Sequence, residues 1–79
     1  MKLIPSQHFK SRIAERGILW TECEETVRKP DRKTVYGRGD IGGIKYKFEK
    51  DYADKTIIVV VGERLPKSDN VLCITAWKK

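Results

Sequence analysis

Thr56 to Val61 is an unbroken run of β-branched residues, Thr-Ile-Ile-Val-Val-Val, and it limits the possible folds more than any other stretch. Side chains of a strand alternate between its two faces, so a strand with no polar alternate needs cover on both sides. The run is far too short to span a bilayer as a helix. It predicts a central strand, and the rest of the chain must supply its neighbours and its cover.

Two short helices are predicted ahead of it. In the first, Ser6 to Gly17, Ser6 serves as N-cap and Gly17 as the left-handed terminator. The second starts at the capping-box pair Thr21 and Glu24, runs through Cys23 and Val27 to about Lys29, and stops at Pro30. From Lys33 the period shortens. Val35 and Tyr36 suggest a strand, the glycines from Gly37 to Gly43 bracket a turn around Asp40, and Ile44 to Lys50 alternates with Ile44, Tyr46 and Phe48 on one face. The glycine cluster lacks the Gly-Lys-Ser/Thr ending of a P-loop and does not lead from strand to helix, so a hairpin is expected there. After a loop around Pro66 and Ser68 to Asn70, Val71 to Trp77 makes the last strand. Leu72, Ile74 and Ala76 then oppose Val71, Cys73, Thr75 and Trp77.

The expected fold is therefore α+β, one domain over residues 1–79, with two N-terminal helices on one face of a four-stranded antiparallel meander sheet. Leu3 and Ile4 tuck under the first helix or form a bit of edge strand. Helices on one face leave the other face of the Thr56 to Val61 strand exposed, which implies a homodimer or a protein partner there.

Charge points to a second partner. The chain has 17 Lys and Arg against 11 Asp and Glu, a net charge of +6, and the surplus lies in residues 1–17 and 31–50. A polyanion would be held if those two segments meet. On a helical wheel with His8 at zero, Arg12 falls at about 40°, Arg16 at about 80°, Phe9 at about 100° and Ile13 at about 140°. Burial of Phe9 and Ile13 against a sheet would set His8, Arg12 and Arg16 along the seam between helix and sheet. The alternative is that the arginines lay their stems along the core and leave their heads solvated. Lys45 and Lys47, on the polar face of their strand, would track a nucleic-acid backbone or form an ordinary solvated face.

Neither cysteine has Cys or His neighbours at ligand spacing, so no metal or other cofactor is expected. Cys23 and Cys73 are read as buried thiols that could pair only if the second helix packs on the last strand. Met1 to Pro5 offers no hydrophobic region of signal-peptide length, and a cytoplasmic protein with no membrane association is expected.

The pattern Ser6-x-His8-x3-Arg12, Arg16-Gly17-Ile18, Pro30 after a second helix, Tyr36-Gly37 and closing Ile74-Thr75-Ala76-Trp77 resembles a prokaryotic family catalogued as domain of unknown function 4258. Phe9 and Trp77 depart from the small residue and the tyrosine expected there. The resemblance implies the helix-helix-sheet fold of the RelE, barnase and colicin tRNase group, many of whose members are RNA-cleaving toxins countered by an antitoxin protein. It implies metal-independent phosphodiester cleavage with His8, Arg12 and Thr75 as catalytic residues, and Arg16, Lys45, Lys47, Tyr46 and Trp77 as substrate-binding residues. His8 would be base or acid, the guanidinium groups would hold the phosphate, and a ring would stack on a base. A non-catalytic RNA-binding or protein-interaction module, or a structural dimer, is the competing expectation.

Overall fold

The computed structural model describes residues 2–38, 44–63 and 70–79. Its elements are β1 (Lys2–Pro5), α1 (Gln7–Glu15), α2 (Trp20–Arg28), β2 (Arg32–Arg38), β3 (Ile44–Asp51), β4 (Thr56–Glu63) and β5 (Asn70–Lys78). The expected turn around Asp40 and the loop around Pro66 lie outside the described residues, apart from Gly37 at the end of β2 and Asn70 at the start of β5.

Both ends of α1 follow from sequence. Ser6 Oγ accepts a hydrogen bond from Phe9 N–H at 3.0 Å. Gly17 sits at φ +67°, its N–H bonds the Ala14 carbonyl, and Ile18 N–H bonds the Ile13 carbonyl. This pair of bonds closes the helix as a Schellman motif, which needs a residue that tolerates the left-handed region. The start of α2 corrects the expected Thr21 cap. Leu19 is the N-cap residue, and Glu22 Oε1 accepts from its N–H at 2.9 Å. An earlier start brings Trp20 into the helix, in register with Cys23 and Val27 on the buried face, and Trp20 meets Phe9 edge-on at 6.1 Å between ring centroids. Burial of an aromatic ring outweighs a side-chain cap worth about 1 kcal/mol.

The sheet overturns the expected four-stranded antiparallel meander. It has five strands in the order β1-β5-β4-β3-β2, and β1 runs parallel to β5, with Lys2 opposite Asn70 and Pro5 opposite Cys73. Four residues carry no readable period, and the strand they pair with is formed from the other end of the chain. The partner of β1 is therefore absent from its sequence neighbourhood. The pairs β2/β3, β3/β4 and β4/β5 are antiparallel, as the alternation implied.

β4 is the central strand, and residues 57 to 61 are all buried. Ile57, Val59 and Val61 join Phe9, Ile13, Cys23, Val27 and Phe48 in the core beneath the helices. Ile58 and Val60 point to the outer face, yet each is only 1% exposed. Across the strands, Val60 lies between Lys47 and Thr75, and Ile58 lies between Glu49 and Trp77. The expected bare apolar strip is therefore covered by the chain's own side chains: long stems and an indole lie beside the smaller residues of the middle strand.

β5 contains a bulge that the alternation did not anticipate. Val61 pairs with Cys73 and Val60 with Thr75, so Ile74 is the extra residue. Beyond it the faces exchange. Ala76 joins Val71 and Cys73 in the core, where simple alternation had put it opposite them, while Thr75 and Trp77 take the outer face. Cys23 and Cys73 are free, buried thiols. Burial pushes the Cys23 thiol up to about 12 and that of Cys73 up to about 11. Among the described residues no helix is long and apolar enough to cross a membrane.

Candidate nucleic-acid interface

The cationic line of α1 runs where the helix wheel put it. Phe9 and Ile13 are buried, while His8, Arg12 and Arg16 are exposed along one flank. Arg12 Nε donates to His8 Nε2 at 3.4 Å. Arg12 Nη1 also meets Glu15 Oε2 at 3.5 Å, a long contact between two exposed side chains.

One turn further on, Arg16 reaches the sheet. Its Nη1 donates to the Ala76 carbonyl at 2.6 Å and to Thr75 Oγ1 at 3.3 Å. Pairing between β1 and β5 stops at Pro5 and Cys73, so among the described residues the edge of β5 beyond Cys73 has no strand beside it. Arg16 supplies a donor to that open edge. Only Nη1 is engaged; the other N–H donors of this guanidinium make no hydrogen bond among the described residues, which leaves a cation facing outward.

Thr75 belongs to the outer face, and the register carries the line across it. Thr75, Val60, Lys47 and Thr34 form one cross-strand row over β5, β4, β3 and β2, and Trp77, Ile58, Glu49 and Arg32 form the next. β5 and β3 are two strand spacings apart, about 10 Å. Lys45 stands on the same face as Lys47, opposite Gly62. The surface that results has Arg16 at one rim, with Arg12 one turn back along α1, Lys45 and Lys47 at the other, and Thr75 with the half-buried Trp77 between.

Tyr46 does not take part. It pairs with Val61 on the helix side, tilted against Phe48, and the ammonium of Lys33 lies 4.7 Å from its ring centroid. The two aromatic rings expected to share a role, Tyr46 and Trp77, are thus on opposite faces of the sheet. Among the described residues no group of three or more His, Cys, Asp or Glu side chains is placed to hold a metal ion.

At one end of the same face lies a corner of paired charges that sequence reading missed. Arg32 Nε bonds Glu49 Oε2 at 2.7 Å, and its Nη1 and Nη2 take both oxygens of Asp51 at 2.9 and 2.8 Å. Thr56 Oγ1 adds a bond to Asp51 Oδ1 at 2.9 Å. Chiefly through the Arg32 bond, the Asp51 carboxyl is held down at about 2 and the Glu49 carboxyl below its usual range. Arg32 and Glu49 are cross-strand partners, a pairing that becomes visible once the β2/β3 register is known. A second tie, Lys55 to Glu22 at 2.6 Å, joins the turn before β4 to the first turn of α2.

The chain matches no family model, no curated protein and no solved structure.

Proposed function

We propose that this chain binds single-stranded RNA along the line from His8 to Thr75 and onward over the outer sheet face to Lys47. The observation that supports this reading is the Arg16–Thr75 bond, because it makes the helix cations and the strand cations rims of one surface. Guanidinium groups match pairs of phosphate oxygens, lysines follow the backbone as point charges, and the Trp77 indole offers a stacking face between them.

Cleavage of the bound RNA is a second reading, favoured by the His8–Arg12 contact. A neutral imidazole can take the proton of a 2′-hydroxyl, the 2′-oxygen then attacks the adjacent phosphorus, and the 5′-oxygen leaves with a proton from water. The products would be a 2′,3′-cyclic phosphate and a 5′-hydroxyl, with Arg12 and Arg16 facing the extra charge on phosphorus. His8 is the only imidazole in the chain.

Fluorescence anisotropy with a labelled oligouridylate tests binding. Affinity should fall as salt rises, with a logarithmic slope of about 0.7 per phosphate neutralised. An affinity independent of salt, or unchanged in Arg12→Ala, would remove the RNA reading. Cyclic-phosphate ends that vanish in His8→Ala, with the circular dichroism spectrum retained, would establish cleavage.

A further inference from the structure

On the opposite flank of α1 lies a groove of about 1030 Å³ with a different character. Its floor is apolar, built from Leu3 and Pro5 of β1, Ile13 of α1, and Trp20 and Val27 of α2. Three cations stand at its rim, Lys2, Lys10 and Arg28, against one carboxylate, Glu24. Other cations are closed on carboxylates, Arg32 on Asp51 and Glu49 and Lys55 on Glu22. Lys2, Lys10 and Arg28 are exposed, and none makes an ion pair or side-chain hydrogen bond among the described residues.

We propose that this groove docks an acidic segment of a partner protein that carries two or three large apolar side chains. Charge complementarity chooses the occupant. An apolar floor gains by covering with Leu-, Ile- or Phe-like side chains, and the three rim cations reward carboxylates placed beside those anchors. The scale also fits, since α1 has nine residues and extends about 13 Å, room for two to three helical turns or four extended residues. RNA fits less well. Stacked bases want successive exposed rings, and here the one ring, Trp20, is half-buried and edge-on to Phe9 among aliphatic side chains. A bilayer surface is also disfavoured, because the apolar groups line a hollow and do not protrude.

The site is separate from the RNA surface. On the wheel Lys10 lies about 120° from Arg16, with the buried Phe9 and Ile13 between them. A segment seated here would leave Arg16 and Thr75 open, so the groove suits an attachment or regulatory contact alongside nucleic-acid binding.

A random peptide library displayed on phage and panned against the full chain tests the proposal. The expected winners combine Asp or Glu with Leu, Ile, Phe or Trp, and in the Trp77→Phe background, where Trp20 is the only indole, they shift its emission on binding. The double variant Lys10→Glu, Arg28→Glu, whose exposed positions keep the fold intact, should weaken these peptides at least about tenfold. Exchanging the peptide carboxylates for lysines should restore binding to that variant. Enrichment of basic or uncharged peptides, no enrichment at all, or full affinity for the double variant would overturn the proposal. So would a double variant that loses oligouridylate binding and keeps the peptides, since the groove would then belong to nucleic acid.

Discussion

Arg32 and Arg12 are similarly exposed, with 48% and 46% of their side-chain surface open, and they have opposite fates. Arg32 is closed on three carboxylate oxygens at 2.7 to 2.9 Å, and one of those carboxylates is further held by Thr56. Arg12 meets one imidazole nitrogen at 3.4 Å and one carboxylate oxygen at 3.5 Å, both at the limit of a hydrogen bond. A bidentate fork uses the geometry of a guanidinium in full and fixes two strands to each other. Long, single contacts leave that geometry free for a phosphate. Exposure alone does not distinguish a structural arginine from a binding one; the number and length of its bonds to carboxylate do.

The comparison breaks most readily at Arg12. Charge reversal, Arg12→Glu, should lower oligouridylate affinity at least about tenfold while leaving the thermal midpoint almost unchanged, read by anisotropy and calorimetry. Arg32→Met should do the reverse, lowering the midpoint and leaving RNA affinity alone. Its effect should depend on pH. The carboxyls of Asp51 and Glu49 are held below their ordinary range in the folded protein, so the stability they contribute is present above about pH 4 and lost as pH falls toward 2. A scan of midpoint against pH should show that acid limb in the parent and a flattened one in Arg32→Met. An equal acid limb in both would mean that the corner contributes nothing.

Arg16 stands between the two cases and sharpens the contrast. Arg16→Met removes the bonds to the Ala76 carbonyl and Thr75, and should cost about 1 kcal/mol in chemical denaturation together with a several-fold loss of RNA affinity. Stability loss without affinity loss would reassign it to the structural class. The smallest effect is expected at Lys47, which meets Glu49 at 4.0 Å and lies 5.8 Å from the Tyr36 ring centroid. Lys47→Gln should change stability by less than about 0.5 kcal/mol and reduce the salt slope of RNA binding by about 0.7, the share of one phosphate.

Local features were legible where a residue's role depends on its near neighbours. Ser6 caps α1, Gly17 closes it at φ +67°, and Phe9 and Ile13 are its buried stripe, all within one or two turns of chain. Ile44 to Lys50 forms the alternating strand expected of it, extended by Asp51, with Phe48 inward and Lys47 and Glu49 outward. The Leu19 start of α2 was not legible, because the Thr21 and Glu24 pair is a good capping sequence and what displaces it is the burial of Trp20 against another helix. Of the candidate site, the His8, Arg12 and Arg16 stripe is a property of helical period. That Trp77 shares the face of Thr75 and Lys47 while Tyr46 does not depends on strand register.

The chain's own pattern thus determined the two helices and the four longer strands, the centrality of Thr56 to Val61, and the side of α1 that carries positive charge, since each is a matter of spacing along the backbone. Tertiary structure decided the rest. It paired four residues at the start of the chain with the last strand, turned Ala76 inward through a bulge at Ile74, covered Ile58 and Val60 with neighbouring side chains, and closed Arg32 while leaving Arg12 open. Every one of these depends on which distant backbone comes to lie alongside. Hydrogen-bond register between strands far apart in sequence settles that, and no local period encodes it.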